Sequence, residues 1–214
     1  TLSDVVISLS TIALGPNQEA SGPPGGTVLF PLNVENNQDI VDSADITYET
    51  ELGWPVELLD HTMSPLVDTN SNGLPDTGEL LPWSSALIHV RVTIPLSPVG
   101  PAEDVRLTAT SYADPLNTAI ASVAVTALFA DLAGPFSDMG VDLDSDSYYD
   151  VLDIGFSIVV YAEGAYLLYA DLYDSGGLFV TGFVVDTPTL SVGTLAYTVT
   201  FPGLEISAAG ADGP

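Results

Sequence analysis

Ala86-Leu-Ile-His-Val-Arg-Val-Thr-Ile94 puts Ala86, Ile88, Val90, Val92 and Ile94 on one face and His89, Arg91 and Thr93 on the other. That is the period of a half-buried β-strand. It stands just behind Pro82 and the dodecapeptide Asp68-Thr-Asn70-Ser-Asn72-Gly73-Leu74-Pro-Asp76-Thr-Gly-Glu79, while Pro55, His61 and Pro65 stand ahead. The loop is thus a connector between strands, with no helix expected on either side.

Read by position, the dodecapeptide carries side-chain oxygens at 1, 3, 5, 9 and 12 and glycine at 6. This is the spacing with which a chain surrounds a calcium ion, a hard cation that takes six to eight oxygens. Gly73 permits the sharp turn midway. Asp68, Asn70 and Asn72 would supply the first side-chain oxygens and Leu74 its carbonyl. Asp76 would make a direct or water-bridged contact, and Glu79 would close the site with both oxygens. Asx- and glycine-rich surface turns use the same residues without a metal.

A second copy runs from Asp142 through Asp144, Asp146, Tyr148 and Asp150 to Asp153, with acids at 1, 3, 5, 9 and 12. Ser147 occupies the glycine position and the shorter Asp153 the last one. Without an ion this is a solvated acidic loop. Both loops predict structural Ca2+ rather than a signalling switch.

Twenty-nine acids face two bases, Arg91 and Arg106, for a net charge of −27. Nucleic acid and anionic lipid are excluded as partners by that field, whereas divalent cations are favoured. The absence of cysteine removes disulfides and thiol chemistry, and calcium is an alternative staple outside the cell. There is no apolar run of membrane-spanning length and no signal-peptide pattern at Thr1. The expectation is an extracellular or cell-surface protein after signal-peptide removal.

The chain reads as all-β, two β-sandwich units of immunoglobulin-like or jelly-roll-like kind with calcium-binding loops. Residues 1–14 form an isolated N-terminal strand and 15–26 a Pro/Gly-rich linker. Residues 27–130 form the first sandwich, with strands at Thr27–Val34, Ala44–Tyr48, Val56–Leu59, Ala86–Ile94, Val105–Tyr112 and Thr118–Val125. Residues 131–214 form the second, after a junction at Asp131–Pro135. Ala162-Glu-Gly164 reads as a hairpin connection, and so does Asp174-Ser-Gly-Gly177. Leu204 to Pro214 reads as a turn feeding one further strand, which leaves this sandwich one strand short.

Pro24-Gly-Gly-Thr-Val, Leu32-Asn-Val-Glu-Asn-Asn37, Gly53-Trp54, the first loop and His89-Val-Arg-Val-Thr-Ile-Pro95 together resemble immunoglobulin-like modules of prokaryotic cell-surface and extracellular filament proteins, over about residues 20–126. The resemblance implies a spacer, stalk or assembly unit. An unfilled slot at the back and a spare strand at the front point to donor strand complementation between copies, a homopolymer in which Val5, Val6, Ile7, Leu9, Ile12 and Leu14 are the subunit contacts. The alternative is pairing of that strand within its own sandwich.

No nucleophile–base pair, phosphate loop or dinucleotide motif is present, so no enzyme is expected. His61 and His89 read as structural. Trp54, Trp83 and the tyrosines at 148, 149, 161, 166, 169 and 173 support the second reading, a carbohydrate-binding or adhesive module of a larger surface protein.

Overall fold

A computed structural model describes residues 11–210. Among them are thirteen β-strands and one short helix. The chain divides into two compact units, one through Leu128 and one from Phe129.

The first unit contains β1 (Ile12–Gly15), β2 (Gln18–Gly22), β3 (Thr27–Asn36), β4 (Ala44–Thr50), β5 (Val56–Leu59), β6 (Ser85–Thr93), β7 (Ala102–Ser111) and β8 (Thr118–Ala127). They form two four-stranded sheets, ordered β1-β3-β6-β5 and β2-β8-β7-β4. In β3 every second residue from Phe30 on is buried, so Phe30, Leu32 and Val34 turn inward beside Ile88, Val90 and Val92 of β6. Val105, Leu107 and Ala109 of β7 and Ala121, Val123 and Val125 of β8 are buried likewise. Two inward apolar faces make a β-sandwich, the class to which immunoglobulin-like modules belong, and each large buried side chain contributes about 1.5–3 kcal/mol.

Residues 15–26 are not simply a linker. Gln18–Gly22 pairs in parallel with β8, Gln18 opposite Val123 and Gly22 opposite Ala127. The segment is polar because it is an edge strand that offers only small groups to the core: a Cβ on Gly22 would meet Ile94 Cδ1 at 3.1 Å. Nor is the end of the first strand detached. Ile12 is fully buried opposite Asn36, and Leu14 pairs with Val34 in antiparallel register. Val5, Val6, Ile7 and Leu9 lie outside the described residues.

The second unit contains β9 (Ala130–Val141), β10 (Val151–Val160), β11 (Leu167–Tyr173), β12 (Phe179–Asp186), β13 (Gly193–Pro202) and α1 (Gly203–Ala208). One sheet runs β13-β10-β9 and a two-stranded sheet is formed by β11 and β12. Leu152, Phe201 and Ile206 form one buried cluster, packed by Ala170, Leu172 and Phe183. Ile158, Val160 and Leu190 form another, packed by Leu168 and Tyr197.

Three expectations are corrected here. The segment Asp131–Pro135 lies inside β9, because Asp131 to Ala133 pair with β10 and pairing resumes at Ser137 after a register shift. Ala162-Glu-Gly164 joins two different sheets, since β10 and β11 do not pair, and only Asp174–Gly177 closes a hairpin. The tail from Gly203 turns into a short helix, where Ile206 finds burial against Leu152 and Phe201. No helix among the described residues is long and apolar enough to cross a membrane.

Candidate metal centre

The first dodecapeptide lies along β4. Pro75 to Leu80 exchange backbone hydrogen bonds with Asp42, Ala44 and Ile46, from Leu80 N to Asp42 O at 2.7 Å and from Ile46 N to Pro75 O at 2.8 Å. The loop thereby extends the edge of that sheet.

Inside it, side-chain oxygens accept from backbone N–H groups a few residues on. Asp68 accepts from Gly73 N (2.8 Å) and Asn72 N (3.2 Å), Asn70 from Asn72 N (3.2 Å), and Asn72 from Leu74 N (2.9 Å). Asp76, 2% exposed, accepts from Thr69 N (2.7 Å), Thr69 Oγ1 (2.6 Å), Asn70 N (3.2 Å) and Gly78 N (2.6 Å). Burial works to raise the Asp76 carboxyl, but the Thr69 hydroxyl and the three backbone donors outweigh it and hold it below its ordinary value. Four donors on two oxygens make Asp76 the group that folds the loop.

The second dodecapeptide repeats most of this pattern, with one donor on Asp150 where Asp76 has four and Ser145 N on Asp142 in place of the fifth-position N–H. Asp142 accepts from Ser147 N (3.0 Å) and Ser145 N (2.7 Å), Asp144 from Asp146 N (3.1 Å), Asp146 from Tyr148 N (2.8 Å), and Asp150 from Leu143 N (2.6 Å). Positions 4 and 6 are left-handed in both loops: Ser71 and Gly73 have φ of 62° and 91°, Ser145 and Ser147 of 65° and 75°. Ser147 therefore adopts the conformation that favours glycine. Oxygens of Asp142, Asp144 and Asp146 lie within 4.8 Å of one another.

The twelfth positions differ. Glu79 is exposed and lines a cleft of about 290 Å³ with Thr69, Asn70, Asp42 and Tyr112. Asp153 stands on β10 and accepts from Thr200 Oγ1 at 2.6 Å, across the β10–β13 pair. Leu74 is exposed, and its N–H is held by Asn72.

One acid absent from the sequence expectation belongs to the first loop. Asp45 of β4 is 6% exposed, and its two oxygens accept from the side-chain amides of Asn70 (3.0 Å) and Asn72 (2.7 Å). Its signal in the sequence is an acid set between Ala44 and Ile46, in a strand whose first three residues are all buried. Together the loops offer carboxylate and amide oxygens, hard donors of the kind that calcium takes.

Trp54 is 3% exposed and belongs to the core, and the Tyr166 hydroxyl donates to Phe129 O and Ala162 O. Trp54 presents no face to solvent, and Tyr166 is half-buried. His89 is buried with Nδ1 3.2 Å from Asp60 O, whereas His61 is exposed.

No family model and no curated protein matches the chain. Among solved structures it is similar to the ASH/PapD-like domain 7 of human CEP192, at 12% identity and a TM-score of 0.36 over 60% of this chain and 94% of that one. It is similar to the secreted serine protease VesC from Vibrio cholerae, at 10% identity and a TM-score of 0.38 over 90% of this chain and 44% of that one. The chaperone DraB of E. coli matches at 13% identity and a TM-score of 0.29, over 89% and 84% of the two chains. Likenesses this distant carry no argument about function.

Proposed function

We propose that the chain is a secreted, calcium-stabilised structural protein, a subunit of an extracellular filament, tube or surface layer assembled head-to-tail by β-strand donation. The observation that carries the reading is that both dodecapeptides, in separate units, take one backbone path. They share left-handed turns at positions 4 and 6 and four side-chain acceptances, position 1 from the N–H of 6, 3 from 5, 5 from 7 and 9 from 2. In this reading Asp68, Asn70, Asn72 and the Leu74 carbonyl, with Asp45 behind them, hold one ion, and Asp142, Asp144, Asp146 and the Tyr148 carbonyl another. Asp76 and Asp150 shape the loops. Each ion offsets part of the repulsion from a net charge of −27. Donor and acceptor surfaces differ, so the contact propagates instead of closing as a two-fold dimer.

The test is electron microscopy of the chain in millimolar calcium and in chelator, beside a variant lacking residues 1–10. Ordered polymers in calcium that are lost with chelator and with the deletion support the reading. Polymers that persist in the deletion variant remove strand donation from this end.

A second reading, an adhesive or carbohydrate-binding module, is favoured by the outer face of β11. Tyr169 and Tyr173 are 74% and 55% exposed, and Asp171 lies between them with its carboxylate over Gly182. Flat rings flanking an acceptor suit the face of a sugar. Retention of dispersed protein on a polysaccharide column would select it.

A further inference from the structure

Ile158 of β10 and Leu132 of β9 are directly opposite in the sheet, so their side chains share a face. Ile158 is 2% exposed, but Leu132 is 53% exposed and Phe136, farther along β9, is 68% exposed. The facing layer explains the contrast. Its strand β12 lies over β13, with the Phe183 and Phe201 rings 5.1 Å apart. Tyr166, leading into β11, reaches Phe129 at the head of β9. So β11 is the strand of that layer nearer β9, and its other edge pairs with no strand among the described residues. A row of unpaired backbone groups beside uncovered apolar side chains is a strand-binding slot.

We infer that this slot, between the free edge of β11 and the exposed face of β9, is the acceptor of the assembly, and that its occupant is Ser3–Leu9 of a second copy. This rests on the strand-donation reading above. The apolar alternating segments within the described residues are already paired in sheets. Ahead of Thr11, outside the described residues, the sequence sets Val5, Ile7 and Leu9 at a period of two. Seven residues from Ser3 to Leu9 match the seven of β11, about 23 Å at strand rise. Asp4 is the only charged side chain in it, which limits repulsion from a strongly acidic chain.

The test follows amide hydrogen exchange of Leu167–Tyr173 in the full chain as concentration rises in calcium, and again with excess synthetic peptide of residues 1–10. A Leu132→Asp/Phe136→Asp variant is run in parallel. Both residues are exposed, so near-ultraviolet circular dichroism checks that the variant keeps its fold. The expected result is slowing of β11 exchange by on the order of tenfold or more, in large particles and with peptide alike, and its loss in the variant. Particles that grow with β11 exchange unchanged would overturn the slot and leave the filament reading standing. Slow exchange already at the lowest concentration would overturn the second copy as occupant. Dispersed chain whose β11 responds to peptide supports the slot and removes the polymer. Dispersed chain that ignores the peptide removes both.

Discussion

Glu103 of β7 is fully buried, and its carboxylate gathers the backbone of the segment that leads into β5. One oxygen accepts from Glu51 N at 2.6 Å and Leu52 N at 2.9 Å; the other accepts from Leu52 N at 3.1 Å and Trp54 N at 2.8 Å. Replacing it by alanine leaves the Leu52 and Trp54 N–H groups without an acceptor and Glu51 N with only a long bond to Asp104 O at 3.3 Å. Hydrogen bonds to a charged group are worth about 1.5–3 kcal/mol each, and part of that is recovered as water enters the space left. Glu103→Ala should therefore cost roughly 3–5 kcal/mol, a large part of the stability of an ordinary domain. Glu103→Gln keeps one oxygen for Glu51 and Leu52 but turns an amide N–H₂ toward the Trp54 N–H, so the loss should be about 2 kcal/mol. Urea unfolding followed by tryptophan fluorescence isolates the effect, because Trp54 and Trp83 both belong to the first unit. An alanine variant that loses less than about 1 kcal/mol, or a glutamine variant as impaired as the alanine one, would refute this account of the segment.

Asp68→Ala combined with Asn70→Ala should lower the thermal midpoint in calcium and change it little in chelator, and an equal loss in both conditions would remove the loop as a metal site. The Asp76 carboxyl is held below its ordinary value of 3.8, so its contribution is complete above that pH. As pH falls below 3.8 toward the lower folded value, the contribution is lost; Asp76→Asn should flatten the acid limb of a stability–pH curve. Ser147→Gly relieves a φ of 75° and should stabilise the second unit by about 1 kcal/mol, whereas Gly73→Ala, at a φ of 91°, should cost the first a similar amount. Calorimetry of both variants in chelator would show it.

The all-β architecture was readable because each strand announces itself locally. Phe30, Leu32 and Val34, or Val105, Leu107 and Ala109, alternate with polar neighbours, and the period of two holds whatever lies opposite. Both acidic loops were readable for the same reason: the side-chain oxygens of Asp68, Asp76, Asp142 and Asp150 bond N–H groups no more than seven residues away. Gln18–Gly22 was not readable, because a polar edge strand gains its place from backbone bonds to β8, which composition does not record.

Thus the sequence by itself determined the strand positions other than β2 and β9, the two loops and the acidity that makes cations favourable partners, all properties of short windows. Only the tertiary structure decided that Asp45 stands behind Asn70 and Asn72, that Trp54 is core rather than surface, and that Leu132 is bare where Ile158 is covered. Those facts depend on which strand lies across from which. That choice is made by packing between segments far apart in the chain, where the local period is the same for every candidate neighbour.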